Sequence, residues 1–244
     1  MRGQAFRASD EPQGEPSQSD RVPVLEARGL YAGYGHLAVV RDLNLAVYAG
    51  EIVALLGPNG AGKTTTLLTL GGALPAVRGE VLVDGTASAA PLYQRVRNGM
   101  GFIPEERSII SKLTVRENLR LGRGTVDDAV GLFPQLRPLL RRRAGLLSGG
   151  EQQMMTLARC LAARPKLMLV DELSLGLAPI VVESLLDALH EAATRTGAAV
   201  LIVEQQVQRA LSVASRWYLL RQGSLAGTGD ADAGAAGKLS TAYL

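Results

Sequence analysis

One stretch of the chain has the residue types and the spacing that bind a polyphosphate. Residues 57–65 match the pattern G-x-x-x-x-G-K-[ST]. Their glycines let the backbone wrap around phosphate oxygens and direct its N–H groups at them. Lys63 supplies a mobile positive charge, and the Thr64 hydroxyl suits Mg²⁺. The loop is expected to bind a nucleoside triphosphate through Gly57, Pro58, Asn59, Gly60, Ala61, Gly62, Lys63, Thr64 and Thr65.

The sequence on both sides of this loop agrees with the motif. Residues 51–56 favour a short buried strand, and residues 64–70 favour a helix whose positive end faces the anion. The alternative is a glycine-rich turn that binds nothing. The order of strand, loop and helix argues against that alternative.

A second stretch places two acids at the end of an apolar strand. Residues 167–172 read Leu-Met-Leu-Val-Asp-Glu. In doubly wound folds the carboxyl ends of the parallel strands lie beside the phosphate loop. We therefore expect Asp171 to orient Mg²⁺ and Glu172 to polarise the attacking water. A surface turn is the weaker alternative, because the strand before the acids is wholly apolar.

A third stretch, residues 147–153, reads Leu-Ser-Gly-Gly-Glu-Gln-Gln. Ser148 and Glu151 form a capping box that begins a helix. The capping box does not explain Gly149 and Gly150, since alanine would stabilise a first helical turn more. Paired glycines leave the N–H groups at the helix mouth open to an anion. A capped helix end and an anion-binding helix mouth therefore both remain possible.

The elements around these motifs predict an α/β core that carries a helical subdomain. Residues 1–22 are polar and predict a disordered tail, which leaves residues 23–244 as the folded domain, with the helical subdomain at about 106–165. Further strands are predicted at 24–27, 43–47, 81–84, 100–104, 198–203, 217–220 and 224–226, and helices at 114–121, 126–132, 179–194 and 207–214. The residues from 227 onward are rich in Gly and Ala and carry no predicted element.

Composition limits the classes of function. The net charge of +3 is too small to indicate a nucleic-acid or membrane surface, and the basic cluster at Arg137 and residues 141–143 is interpreted as a solvated helix end. A single cysteine, Cys160, excludes an internal disulfide and is interpreted as a buried apolar residue. No apolar stretch is long enough to span a bilayer, and no signal segment begins the chain. These features predict a cytoplasmic location.

Two tyrosines precede the phosphate loop in a chain with only 4% aromatic residues. Tyr31 and Tyr34 are predicted to lie between the first two strands, where either ring could stack on a base. Ordinary turn or core tyrosines are an equally good interpretation of the sequence alone.

Taken together, Tyr34-Gly35, the phosphate loop, residues 147–151 and residues 169–172 resemble the ATP-binding subunit of ABC transporters. The resemblance covers about residues 25–244. Residues 102–105, 113–119, 174–179 and 203–205 are further similar to the LivF type, one of two ATPases in branched-chain amino acid importers. The resemblance to ABC transporter subunits implies a P-loop ABC ATPase fold, which is an α/β fold with a RecA-like core, a small antiparallel β-subdomain and a helical signature subdomain.

The resemblance also implies roles for particular residues. Tyr34 would stack on adenine, and Glu105 occupies the position of a glutamine that senses Mg²⁺ and the membrane subunit. Gln205 occupies the position of the switch histidine. The catalytic residues would be Glu172, Lys63 and Gln205, and the Mg²⁺ ligands would be Thr64, Glu105 and Asp171. The signature, which would act on the partner subunit's ATP, would be Ser148, Gly149, Gly150 and Glu151.

The partners implied by the resemblance are a second ABC ATPase subunit, identical or different, two transmembrane permease subunits and, indirectly, an extracytoplasmic substrate-binding protein, with no nucleic acid. The chain would then lie peripherally on the cytoplasmic face of the membrane. An importer of urea, short amides or another amino acid is an alternative. A soluble ABC ATPase acting on DNA or ribosomes is disfavoured, because the chain has one phosphate loop and no heptads. A regulatory subunit without hydrolysis is disfavoured by Glu172.

Some residues depart from the family's pattern. Leu173 replaces a proline, Glu106 replaces a common glycine, and residues 108–111 replace a more basic and aromatic stretch. These positions lie near the surface that the family uses to hold membrane subunits. They leave the transported substrate open and the ATP chemistry intact.

Overall fold

A computed structural model describes residues 21–243, and the side chains of residues 21–239. The predicted tail lies outside the described residues, apart from residues 21 and 22. The strands are β1 Leu25–Tyr34, β2 Leu37–Val47, β3 Ile52–Leu56, β4 Ala76–Val83, β5 Thr86–Ala87, β6 Met100–Ile103, β7 Leu167–Asp171, β8 Ala199–Glu204, β9 Arg216–Arg221 and β10 Ser224–Asp230. The α-helices are α1 Lys63–Leu70, α2 Leu92–Arg97, α3 Val115–Arg120, α4 Val126–Leu132, α5 Gly149–Leu161, α6 Pro179–Thr196, α7 Val207–Leu211 and α8 Ala235–Tyr243, and two 3-10 helices span Pro134–Leu139 and Ala144–Leu146.

The larger sheet has six strands in the order β10-β9-β3-β8-β7-β6. All its neighbours pair in parallel except the edge pair β9 and β10. Every residue of β3, β7 and β8 is buried, which explains why these strands read as continuous apolar runs. Their carboxyl ends share one edge of the sheet. That edge therefore carries the phosphate loop after β3, the two acids at the end of β7 and Glu204 at the end of β8.

The smaller sheet is antiparallel, with the order β2-β1-β4-β5. The prediction of two short strands separated by the tyrosines was wrong, because β1 continues to Tyr34 and contains both tyrosines. The ladder between β1 and β2 changes register after Ala27, where Gly29 and Asp42 adopt positive φ angles of 50° and 49°. Such bulges interrupt the alternation of apolar and polar residues on which strand prediction depends.

The two hydrophobic cores lie on opposite faces of the larger sheet. Ile52, Ala54 and Leu56 of β3 belong to the core shared with helices α3–α7, whereas Val53 and Leu55 belong to the core shared with α1 and the smaller sheet. The phosphate loop therefore emerges from a strand that is fixed by packing on both faces.

Helices α3, α4 and α5 form the helical part of the chain. Each of these three helices begins with a side-chain cap, as predicted. Thr114 and Glu117 form a capping box at α3, Thr125 caps α4, and Ser148 and Glu151 form a capping box at α5. In α5 the Glu151 N–H donates to Ser148 Oγ over 3.3 Å, and the Ser148 N–H donates to Glu151 Oε2 over 2.7 Å. The cap interpretation of this motif is thus confirmed.

The carboxyl-terminal part differs from its prediction. β10 extends to Asp230 and α8 follows it, whereas α7 ends at Leu211, three residues earlier than predicted. Gly227 and Gly229 leave room for the Trp217 ring, since a Cβ atom at Gly229 would lie 3.0 Å from it. Gly227 and Gly229, which lie in the stretch without a predicted element, thus belong to a strand and pack against the Trp217 ring.

Two smaller expectations concern chemistry and membranes. Cys160 is half-buried rather than fully buried as expected, because it lies at the edge of the core. Its surroundings still raise the pKa of the thiol to about 12 through desolvation, so the side chain stays protonated. Arg137 and residues 141–143 are exposed, as expected for a solvated surface. Within residues 21–243, no helix combines the length and the apolar character that crossing a bilayer requires.

Candidate active site

The phosphate loop is shaped by close backbone contacts that only glycine permits. A Cβ atom at Gly57 would lie 2.3 Å from the Leu220 carbonyl oxygen, and one at Gly62 would lie 2.7 Å from Val40 Cγ2. Gly62 also has a φ angle of 103°, and α1 begins directly after it at Lys63. The loop therefore delivers the N-terminus of α1 and the Lys63 ammonium to the same point.

Lys63 is buried, with only 5% of its surface exposed. Its Nζ donates to the carbonyl oxygens of Gly57 and Pro58 over 2.9 and 3.2 Å, and lies 3.8 Å from Glu172 Oε1. Carbonyl oxygens are weaker partners for an ammonium group than phosphate oxygens. A bound polyphosphate would therefore replace these carbonyl oxygens as the hydrogen-bond partner of the Lys63 ammonium group.

Asp171 has the properties of a cation ligand. Its Oδ1 atom is buried and is without a hydrogen-bond partner among the described residues. Burial raises the pKa of Asp171 to about 6; the hydrogen bond from Thr64 and the charge of Lys63 oppose this shift, and the charges of Glu172 and Glu105 add to it. A buried, orphaned carboxylate oxygen next to a threonine hydroxyl fits Mg²⁺, which prefers hard oxygen ligands.

The rest of the metal site would come from outside the chain. Residues 21–243 contain no group of three or more His, Cys, Asp and Glu side chains that could hold a metal ion on their own. Mg²⁺ in nucleotide sites takes one or two protein oxygens together with phosphates and water. Glu105 is exposed and follows β6, close enough for its charge to raise the pKa of Asp171.

Glu172 lies between Lys63 and Gln205. Its Oε1 accepts a hydrogen bond of 2.9 Å from Gln205 Nε2 and lies 3.8 Å from Lys63 Nζ. Its backbone has a φ angle of 46°, which is strained for a residue other than glycine, and its N–H donates to the Val203 carbonyl oxygen. The structure thus brings together Lys63, Glu172 and Gln205, the three residues expected to act in catalysis.

The two tyrosines differ in their surroundings. Tyr34 is the last residue of β1 and is 55% exposed. The Tyr31 ring has Arg78 stacked over one face, with the guanidinium carbon 5.7 Å from the ring centroid. Tyr34 therefore has the more accessible ring of the two, and its contact with adenine stays a prediction.

The start of α5 forms a second helix mouth, built from Ser148 and the two glycines after it. Ser148 is exposed, and its hydroxyl caps α5 by accepting a hydrogen bond from the Glu151 N–H. Two neighbours were missed by the sequence analysis. A Cβ atom at Gly149 would lie 2.7 Å from Arg107 Nη2, and one at Gly150 would lie 3.0 Å from Val181 Cγ1. Gly150 therefore has a packing reason against α6 in addition to the proposed approach of an anion.

Sequence analysis also missed a buried pair next to the catalytic group. Ser174 and Glu204 are buried and joined by two hydrogen bonds. The signal in the sequence was an acid that follows the wholly apolar residues 199–203 and precedes Gln205. A buried acid at the carboxyl end of such a strand lowers the stability of the fold unless it has hydrogen-bond partners.

Comparisons with known proteins agree with this geometry. The family model described as ABC transporter matches residues 40–174. The chain belongs to the ABC transporter family. It is 39% identical over 202 residues to the high-affinity branched-chain amino acid transport ATP-binding protein BraG of Pseudomonas aeruginosa, covering 79% of this chain and 86% of BraG. It is 34% identical to the probable branched-chain amino acid transport ATP-binding protein LivF of Archaeoglobus fulgidus, covering 83% and 90% of the two chains.

Other relatives are also named as ATP-binding proteins but belong to a different transport system. The lipopolysaccharide export system ATP-binding protein LptB of Escherichia coli is 39% identical, covering 84% of this chain and 89% of LptB. Among solved structures, a nucleotide-free ATP-binding cassette matches with a TM-score of 0.79 at 21% identity, covering 89% of this chain and 95% of the cassette. A dimeric cassette bound to ADP and Pi matches with a TM-score of 0.76 at 23% identity, covering 85% and 99%.

The family and the fold are thus as expected. The chain is an ATP-binding ABC protein and an ATPase with the P-loop α/β fold.

Proposed function

We propose that this chain hydrolyses ATP with Mg²⁺ at a site shared by two ATPase subunits, and that hydrolysis drives the import of branched-chain or other hydrophobic amino acids. The observation that supports the proposal most is the cluster at the edge of the larger sheet. There Lys63 lies 3.8 Å from Glu172, and Gln205 lies 2.9 Å from the same carboxylate oxygen.

Each residue of the cluster has a proposed task. Lys63 neutralises the terminal phosphates, and the α1 N-terminus supplies N–H groups to their oxygens. Glu172 holds and deprotonates the attacking water, and Gln205 fixes the orientation of its carboxylate. Thr64, Asp171 and Glu105 would hold Mg²⁺, directly or through water, and the ion would neutralise charge that develops on the phosphates.

The proposal that two subunits share each ATP site rests on the second glycine-rich helix N-terminus, at the start of α5. The α1 N-terminus already serves the chain's own phosphate loop, so the mouth formed by Ser148, Gly149 and Gly150 would bind the phosphate of a nucleotide held on another subunit. Glu151 stabilises this mouth through the capping box. The partner is a second ATPase subunit, either identical or a different chain.

The substrate class rests on the names of two relatives and on two residues. BraG and LivF are named as branched-chain amino acid transport proteins. Glu105 and Gln205 resemble the importer type at positions where glutamine and histidine are the usual residues. Because LptB is named as part of an export system and is equally similar to this chain as BraG, the direction of transport needs a direct test.

Membrane subunits would dock in a groove of about 580 Å³ between β6, α2 and the helical part. Its lining combines apolar Met100, Phe102 and Leu121 with Arg97 and Arg159. We infer that it takes a short helix of a permease subunit with an acidic residue among apolar ones. β6 leads directly to Glu105, and α5 carries the signature, so force applied at the groove would reach both. Such docking would place the chain on the cytoplasmic face of the membrane.

The docking proposal is tested by Leu121→Arg, since Leu121 is 55% exposed and its replacement leaves the cores intact. Amino acid uptake should be lost, while nucleotide binding by the purified chain stays at the wild-type level. Leu132→Arg, also at a solvent-exposed leucine but outside the groove, is the matched control. Equal uptake by both variants would reject this groove as the docking site.

The transport proposal is tested by uptake of radiolabelled leucine, isoleucine and valine in the natural host. Deleting the gene should reduce uptake, wild-type protein should restore it, and Glu172→Gln should not. Urea and a short amide are the competing substrates. Unchanged uptake of all three amino acids after deletion would contradict the proposed substrate class.

A further inference from the structure

Two consecutive residues at the end of β8 hold the turn that follows β7. Gln205 Nε2 donates to Glu172 Oε1 over 2.9 Å. The Glu204 carboxylate accepts two hydrogen bonds from Ser174, one from the N–H at 3.2 Å and one from the hydroxyl at 2.9 Å. The proposed base and the residue two positions after it are therefore held by neighbouring side chains.

Glu204 is in an unfavourable place for a carboxylate that serves only packing. It is 1% exposed, and among residues 21–243 it forms no ion pair. Burial raises the pKa of Glu204 to about 6, the bonds from Ser174 and the more distant charge of Arg209 oppose the shift, and the charge of Glu172 adds to it. An apolar residue would fill this position at lower cost to stability. The carboxylate thus calls for a reason beyond stability.

The turn held by Glu204 is strained and partly exposed. Glu172 has a positive φ angle of 46°, and Leu173 anchors the turn in the core with 2% exposure. After Ser174 the chain leaves the core, because Leu175 and Gly176 are exposed. Ser174 is therefore the last fixed residue before the exposed stretch, and its two bonds to Glu204 limit how far Glu172 can move.

We propose that Glu204 is a positioning residue for ATP hydrolysis, which holds Ser174 and thereby keeps the Glu172 carboxylate where it can take a proton from water. This inference rests on the proposed role of Glu172 as the base. It gives two neighbouring residues different tasks, with Gln205, directly after β8, orienting the carboxylate of Glu172 and Glu204, the last residue of β8, holding the backbone that carries it.

The test compares Glu204→Gln, Ser174→Ala and the double variant in the purified full chain. An amide at position 204 offers one acceptor in place of two, and its NH₂ group faces the donors of Ser174. We expect kcat to fall about tenfold to a hundredfold in each single variant, since small displacements of a catalytic group cost that much. KM for ATP should stay within about twofold, because the phosphate loop is unchanged. The double variant should be no slower than the slower single variant, since both changes break the same contact.

Thermal stability separates positioning from a structural role. Glu204→Gln should have a melting temperature close to that of wild type, since removal of a buried charge offsets the loss of one hydrogen-bond acceptor. A variant that keeps kcat within about twofold of wild type, or losses in kcat that multiply in the double variant, would overturn the inference. A fall of kcat accompanied by equal loss of ATP affinity and of melting temperature would also overturn it, in favour of a structural role. Glu172→Gln is measured in parallel: if it keeps full activity, the proposed base is wrong and the inference falls with it, whereas activity lost only in Glu172→Gln rejects the role of Glu204 alone.

Discussion

At the scale of single residues, the site concentrates ionisable groups that a stable core would avoid. Lys63, Asp171, Glu172 and Glu204 are all buried at one edge of the larger sheet. Two of these acids have pKa values raised to about 6 by burial. Burying these charged groups together costs stability, so their replacement by neutral residues should raise stability at the expense of activity.

Glu172→Gln tests the proposed base. The variant should bind ATP with wild-type affinity, because the phosphate loop is unchanged, but it should lose at least about a hundredfold in kcat, since an amide cannot accept the proton. ATP hydrolysis and the binding of a fluorescent ATP analogue are the measurements. Glu183→Gln, at an exposed position of α6, is the control for the substitution itself. Wild-type turnover in Glu172→Gln would eliminate this residue as the base.

Asp171→Asn tests the stability cost of the carboxylate proposed to bind Mg²⁺. Because folding raises the pKa of Asp171 from 3.8 to about 6, the folded state binds this proton more tightly than the unfolded state does. Ionised Asp171 therefore lowers stability above about pH 6, by about 2–3 kcal/mol at most, and this cost disappears as the pH falls through 6 toward 4. Asp171→Asn should melt at a higher temperature than wild type at neutral pH, with the difference shrinking at about pH 5.

The same variant should lose the response to its ligands. ATP with Mg²⁺ should raise the melting temperature of wild type more than ATP with EDTA does, and this difference should vanish in Asp171→Asn. A lower melting temperature of the ligand-free variant at neutral pH would contradict the account of Asp171.

Tyr34→Ala tests the adenine contact. Loss of a stacking face should weaken ATP binding by on the order of 1–3 kcal/mol, by analogy with base–aromatic stacking, and leave kcat at saturation nearly unchanged. Tyr31→Ala is the matched control, because the Tyr31 ring is already paired with Arg78. A larger loss of affinity in Tyr31→Ala would show that the wrong tyrosine was assigned.

At the scale of elements, the buried side chain of Asn118 forms several hydrogen bonds to the segment between Glu105 and α3. Asn118 accepts from the Ile110 N–H over 2.8 Å, and its amide donates to the carbonyl oxygens of Ile110 and Thr114, each over 3.0 Å. Arg159 of α5 also donates to the Ser108 carbonyl oxygen. The departures at residues 108–111 therefore lie on a loop held by both α3 and α5.

Asn118→Ala should release this loop. The backbone groups of Ile110 would lose their partner, which should lower the free energy of unfolding by about 2–3 kcal/mol. Denaturant titration measures this change, and hydrogen exchange at the Ile110 amide should become faster. Asn98→Ala, at an exposed position after α2, serves as the control. Unchanged exchange at Ile110 would show that other contacts fix the loop.

The elements also show what sequence can and cannot predict. The apolar runs of β3, β7 and β8 and the caps at Thr114, Thr125 and Ser148 were predictable, because their causes are local. The length of β1, the packing of Trp217 on glycines and the helix α8 were not, since they depend on a bulge and on contacts distant in sequence. At the site, the sequence predicted the two acids at the end of β7, but the hydrogen bond between Glu204 and Ser174 depends on the register of β7 and β8.

At the scale of the whole molecule, one chain carries two glycine-rich helix N-termini, for which we propose different tasks. α1 serves the phosphate loop from which it starts, and α5 begins in the helical part with Ser148 exposed. The central claim is that the α5 mouth binds a phosphate on another subunit. Capping by Ser148 is a competing explanation of the same residues, so a test has to keep the cap and change only the charge.

Ser148→Asp and Ser148→Asn meet this requirement, because both residues cap helices as well as serine does. The measurement is ATP-dependent pairing of the purified chain by light scattering, with Glu172→Gln added to hold the closed state. Ser148→Asn should pair. Ser148→Asp should bind ATP as a single chain but fail to pair, because its carboxylate would repel the partner's phosphate by several kcal/mol. Pairing of Ser148→Asp equal to that of Ser148→Asn would contradict a shared site.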